Sequence, residues 1–103
     1  MRLTCAALIL LLVLMTSAQC QQTAEDWFNK GLALGEQGKY DEAMEAFDEA
    51  ISLNPNYALA WYNKGVVLDN QGKYGEAIQA YNEAIRLDPN DADAWNNKGA
   101  AVT

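Results

Sequence analysis

Two kinds of apolar stripe alternate along the chain from Ala24 onward. Trp27, Gly31 and Leu34 fall at i, i+4, i+7, and Tyr40, Ala43, Phe47, Ala50 and Leu53 at i, i+3, i+7, i+10, i+13. Each set lies along one side of a 3.6-residue helix, so each predicts an amphipathic helix with one buried face, Leu53 included. Gln37-Gly38-Lys39 separates the two. Gly38 is placed to end the first helix in the left-handed conformation, which costs glycine nothing sterically. Leu53-Asn54-Pro55-Asn56 ends the second, because Pro55 cannot continue a helix and biases Asn54 out of the helical region. A further helix is expected to open at Asn56 or Tyr57.

The same devices then return in order: Trp61, Gly65, Leu68, Gly72, Tyr74, Ala77, Tyr81, Ala84, Leu87 and Pro89. Trp27, Trp61 and Trp95 are 34 residues apart, and the segments 24–57 and 58–91 agree at 19 of 34 positions without a gap. A third copy starts at Ala92 and runs for twelve residues to Thr103. A fixed period of this size predicts stacked helix–turn–helix units, each contacting its neighbours. Gly31 and Gly65, with Ala43, Ala50, Ala77 and Ala84 opposite them, leave room for close helix packing.

The pattern W-x-x-x-G-x-x-L, then G-x-Y, then A-x-x-x-[FY]-x-x-A, then P resembles the tetratricopeptide repeat (TPR). It covers 24–91 as two full repeats and 92–103 as half a third. The resemblance implies an all-α fold, a right-handed α-solenoid of antiparallel helix pairs with a concave groove. One departure stands at the seventh position of each unit, where the family usually has Leu and this chain has Lys30, Lys64 and Lys98. Their alkyl stems are expected to cover the Trp rings while the ammonium groups stay in water.

The first twenty residues differ in kind. Arg2 precedes an unbroken apolar run, Ala6–Met15, followed by the small residues Thr16-Ser17-Ala18. A charged start, a short apolar core and a small-x-small end read as a signal peptide (1–20) ahead of the repeat domain (21–103), cleaved after Ala18 or Cys20. The run is too short for the ~20 residues that cross a bilayer. The expected location is therefore secreted or cell envelope. An uncleaved membrane anchor, or lipid attachment at Cys20, is the alternative, and membrane contact is expected only in those cases. Cys5 and Cys20 both fall in this segment, which leaves the repeat domain without a thiol for a disulfide or metal site.

Charge and missing residue types narrow the function. The repeat domain holds six Lys and Arg against fourteen Asp and Glu, a formal charge of −8. Such a surface repels phosphate backbones, so nucleic acid is not an expected partner. The chain contains no His, hence no imidazole base or imidazole ligand. Gly35–Lys39 lacks the upstream Gly and the Ser or Thr of a phosphate loop, and Asp88–Asp93 lacks the Gly and distant Glu of a calcium loop. The carboxylates Glu42, Glu45, Asp48 and Glu49 read as a solvated outer face. No catalytic residue, metal site or cofactor is expected, and the chain reads as a scaffold for protein binding rather than an enzyme.

In the resembling family, partner peptides lie against the first helix of each unit, at positions two, five, nine and twelve. On this chain these are Glu25, Phe28, Leu32 and Gly35, then Leu59, Tyr62, Val66 and Asp69, then Asp93, Asn96 and Ala100. Position six supplies Asn29, Asn63 and Asn97, whose amides offer a donor and an acceptor to an extended backbone. The expected groove is thus Phe28, Asn29, Leu32, Tyr62, Asn63, Val66, Asn96 and Asn97. Family members that clamp acidic tails use Lys and Arg in this groove. Here Phe28, Leu32, Asp93 and Asn97 stand at those positions and only Asn63 matches, so apolar or basic segments are the expected partners. Trp95, Gly99 and Val102 carry the face meant for a second helix, and the alternatives to a peptide-binding module are a structural segment that self-associates through this face or a truncated fragment of a longer TPR array.

Overall fold

The computed structural model of the chain describes residues 22–102. The expected signal peptide, the cleavage positions considered for it and Cys20 lie outside these residues. Five helices follow one another: α1 (Ala24–Glu36), α2 (Tyr40–Leu53), α3 (Ala58–Asn70), α4 (Tyr74–Leu87) and α5 (Ala92–Val102). No helix among the described residues is long and apolar enough to cross a membrane.

The turns form where the sequence places glycine and proline. After α1, the Lys39 N–H donates to the Leu34 carbonyl (2.9 Å) and the Gly38 N–H to that of Gly35 (3.0 Å). Gly38 sits at φ 75°. After α3 the same two bonds link Lys73 to Leu68 (2.9 Å) and Gly72 to Asp69 (3.0 Å), with Gly72 at φ 77°. Paired bonds of this kind satisfy carbonyls that a helix end leaves without partners. The longer helices end on a side-chain turn instead: Asn54 Oδ1 accepts from Asn56 N–H, as Asp88 Oδ1 does from Asn90 N–H. The first helix is opened by Thr23 and Asp26, each side chain accepting from the other's backbone N–H at 3.1 Å.

Three-residue turns fold α2 back on α1 and α4 back on α3, giving two antiparallel pairs, with α3 also packed on α2 and α5 on α4. Each pair closes on an aromatic ring. Phe47 and Tyr81 are the largest fully buried side chains. A Cβ on Gly31 would lie 2.6 Å from the Phe47 ring, and one on Gly65 2.5 Å from that of Tyr81. The core divides accordingly into a cluster around Phe28 and Phe47 and another around Leu68 and Tyr81, and Met44 of α2 packs against both. α3 lies between them and is apolar on two sides.

Leu53 departs from its predicted buried stripe. It is 53 % exposed, because it is the last residue of α2, where the chain already turns away from α1. The Trp series also divides as the pairing requires. Trp27 and Trp61 are half-buried, while Trp95 is 50 % exposed. Around Gly99 an added Cβ would meet nothing within 4 Å.

These contrasts give a matched test. Gly65→Ala drives a methyl into an immobile ring and is expected to cost about 1–3 kcal/mol. Gly99→Ala meets open space and is expected to be neutral or to stabilise by up to about 1 kcal/mol through helix propensity. Urea denaturation of the two variants beside the parent measures the difference, and equal stabilities would show that the glycine–ring contact does not close the pair.

Candidate functional site

The stack is open on two sides of α3. On one side Asn63, Val66 and Asn70, spaced i, i+3, i+7, face Leu32, Gly35 and Glu36 of α1 across a cleft of about 290 Å³. Tyr40 and Phe47 of α2 form its back wall. On the other side Trp61, Lys64 and Leu68, again i, i+3, i+7, open into a larger groove between α2 and α4.

The cleft gathers three of the expected groove residues, Leu32, Asn63 and Val66. Asn63 uses one amide hydrogen on the Leu59 carbonyl (2.9 Å), an i−4 bond within its own helix. The second hydrogen and the amide oxygen remain for another group. The only ionised side chain lining the cleft is Glu36. Asn70 and Glu36 both occupy position thirteen of their units, one turn beyond position nine, so extending the helical stripe by i+4 from Val66 would have found Asn70.

The other expected residues lie elsewhere. Phe28 is 9 % exposed and belongs to the core, its ring 5.9 Å from Phe47 and 5.1 Å from Tyr57. Tyr62 leans on Tyr81 at 5.9 Å, and its hydroxyl accepts a bond from Asn97 Nδ2 at 2.8 Å. Tyr62 and Asn97 thus tie α5 to α3, and that amide hydrogen is committed. Asn29 and Asn96 are exposed.

The first-helix lysines are held away from the cleft. Nζ of Lys30, Lys64 and Lys98 lies 4.9, 5.3 and 5.4 Å from the ring centroids of Trp27, Trp61 and Trp95. The ammonium groups themselves, and not only the stems, sit over the indoles, an attraction between the cation and the ring quadrupole. Lys64 also reaches Asp48 of α2 at 2.7 Å. Each of the last two indoles is fixed in turn, since the Nε1–H of Trp61 donates to the Pro55 carbonyl (3.4 Å) and that of Trp95 to the Pro89 carbonyl (2.9 Å).

The family model of the tetratricopeptide repeat matches residues 28–92 and again 68–102. The chain belongs to the tetratricopeptide repeat family. Its TPR helices superpose on the crystal structure of MamA with a TM-score of 0.76 at 34 % identity, over 77 % of this chain and 46 % of that one. The chain therefore spans less than half the length of that relative. The second TPR of Spaghetti (RPAP3), bound to the HSP90 peptide SRMEEVD, matches with a TM-score of 0.76 at 28 % identity, covering 84 % of this chain and 81 % of that one. The first TPR of Spaghetti, bound to the same peptide, gives 0.75 at 28 % identity over 78 % and 64 %. No curated protein matches the sequence. The expected all-α TPR architecture is thus the observed one.

Burial of three tyrosines, reinforced by neighbouring carboxylates, shapes the TPR domain's alkaline behaviour. Burial, then the charge of Asp93 and Asp91, raises the Tyr62 hydroxyl above its usual range, partly offset by the Asn97 bond. Burial and Glu25 raise Tyr57. Burial, then the neighbouring Asp69 that accepts its hydroxyl bond at 3.4 Å, raises Tyr81 well above it. The folded hydroxyls stay protonated where the unfolded chain ionises, so this stability is complete below about pH 10 and is lost as pH rises through and beyond it. Tyr81→Phe copies the ring that the first unit already uses. It is expected to change stability at pH 7 by under about 1 kcal/mol and to flatten the loss between about pH 10 and 11.5, read as urea midpoints across that range.

Proposed function

We propose that this TPR domain is a protein-interaction module whose cleft between α1 and α3 takes an extended apolar or basic peptide segment. The observation that carries this reading is the cleft lining: Leu32, Val66 and Val67 supply apolar contact, Asn63 and Asn70 supply amides, and Glu36 is the only charge. Apolar walls with a few placed polar groups are what small recognition sites are made of. A carboxylate-rich ligand would meet Glu36 and no cation, and burying an unpaired carboxylate costs far more than burying a neutral amide. The TPRs of Spaghetti were solved with the acidic peptide SRMEEVD; the lining here favours the opposite choice. Nothing in the lining suggests catalysis, and the reading is of a binding scaffold.

Isothermal titration with a blocked Val/Leu-rich peptide, a basic peptide and SRMEEVD tests the preference. The first two are expected to bind at least about tenfold more tightly than the acidic one, a difference of about 1.4 kcal/mol, and Leu32→Ser is expected to weaken them. Tightest binding to SRMEEVD would overturn the reading.

A second reading rests on α5. Trp95 at 50 % and Val102 at 65 % exposure flank the open surface at Gly99, an apolar patch open to another copy of the chain. Sedimentation would then show a concentration-dependent dimer that Trp95→Ser abolishes; a monomer at all concentrations dismisses it.

A further inference from the structure

The geometry points to a second binding surface on the side of α3 opposite the cleft: the groove between α2 and α4, with a segment carrying a large apolar side chain flanked by lysine or arginine as its occupant. The groove encloses about 590 Å³, roughly twice the cleft. Its openness follows from how the units stack. α1 touches α3 and α3 touches α5, but α2 and α4 do not approach each other. Consecutive first helices close one edge of the stack while consecutive second helices stand apart at the other.

The floor is apolar. Met44 of α2, Trp61 and Leu68 of α3 and Ala80 of α4 line it. Trp61 is half-buried, and its indole is pinned through Nε1 to the Pro55 carbonyl, so the floor is already ordered before anything binds. A rigid aromatic floor in a concave site recovers more affinity per contact than a mobile one, because less ordering remains to be done on binding. The groove also lies wholly between described helices, with walls on both sides, and does not depend on where the chain starts or stops.

Charge selects the occupant. α2 carries five carboxylates and α4 two, against Arg86 on α4 and Lys64 on α3. Lys64 is neutralised by Asp48 at 2.7 Å and drawn over the Trp61 ring. Glu76 and Glu83 rim the groove from α4; Glu83 also holds Arg86 at 3.0 Å, an exposed pair of the weak kind that a ligand cation can replace. They are seven residues apart, which places them about 10 Å apart along the same face. An extended segment spans that distance in about three residues. Residues i, i+2 and i+4 of an extended segment share one face, so a Lys-x-Phe-x-Lys spacing turns both cations toward the two carboxylates, the long lysine stems absorbing the difference in reach, with the aromatic ring between them over Trp61. An acidic segment would face like charge from Glu76 and Glu83 on the α4 wall. This surface is separate from the α1–α3 cleft and stands or falls independently of it.

Fluorescence anisotropy with the full chain tests it, using a labelled Gly-Lys-Ser-Phe-Ser-Lys-Gly peptide and its counterpart with both lysines replaced by glutamate. The lysine peptide is expected to bind at least about tenfold more tightly than the glutamate one. Leu32→Ser, which weakens the cleft on the other side of α3, is expected to leave that advantage in place. Glu76→Lys with Glu83→Lys is expected to remove it, and Gln79→Trp, an exposed position on the groove lining, to fill the space and reduce the lysine peptide to the level of the glutamate one. Circular dichroism of each variant confirms that helix content is retained. Loss with Leu32→Ser but none with the α4 variants would place the peptide in the cleft and overturn the proposal; so would a lysine peptide that does not bind, or that binds no better than its glutamate form.

Discussion

Each helix pair depends on a ring laid directly on a glycine. Phe47 on Gly31 and Tyr81 on Gly65 leave no space for even a methyl group, and both rings are wholly buried. The contact sets how closely the paired helices approach, and that distance in turn decides which side chains are enclosed and which reach the surface. Phe28 is drawn into the core by this closeness, since the ring opposite it is Phe47. Where the glycine has no ring, at Gly99, the adjoining Trp and Val stay exposed.

The units are joined by a different set of forces. An indole donates to the carbonyl of the proline that ends the preceding unit, and an ammonium group covers that indole from the next turn of the same helix. Around them lie the Lys64–Asp48 pair, the bond from Gln71 Nε2 to Asp41 at 3.1 Å and the shared side chain of Met44. Directional bonds therefore orient one unit on the next, while close packing holds each unit together. Surface ion pairs and exposed cation–π contacts each contribute about 1 kcal/mol or less, so the junction is weaker per contact than the pair.

Much of this was legible in the residues themselves. Gly38, Gly72, Pro55 and Pro89 punctuate the chain because only those residue types suit or enforce those backbone states, and the helices end beside them. The placement of Leu32, Asn63 and Val66 on one surface follows from what the TPR resemblance implies for positions six and nine of each unit. Other parts were not legible, because they depend on distances between helices. Position five reads as groove-facing, yet Phe28 is buried and Tyr62 is bound by Asn97, since what covers a stripe is decided by the neighbouring helix and not by the stripe. Asn63 and Asn97 are the same residue at the same position, but one bonds its own helix and the other a tyrosine 35 residues away. The lysine stems were expected to cover the indoles, and the ammonium groups lie over the rings as well. The groove between α2 and α4 has no signature in the spacing at all, because it arises where two helices fail to meet.

That failure to meet has a mechanical side. First helices in contact form a line about which neighbouring units can rock, whereas the second-helix edge has no such stop. Bending that narrows or widens the α2–α4 gap leaves the glycine–ring contacts within each unit undisturbed, and twisting about the stack axis strains the indole–proline bonds. The width of the α2–α4 gap is thus set by the contacts between units, separately from the glycine–ring contacts that hold each unit together.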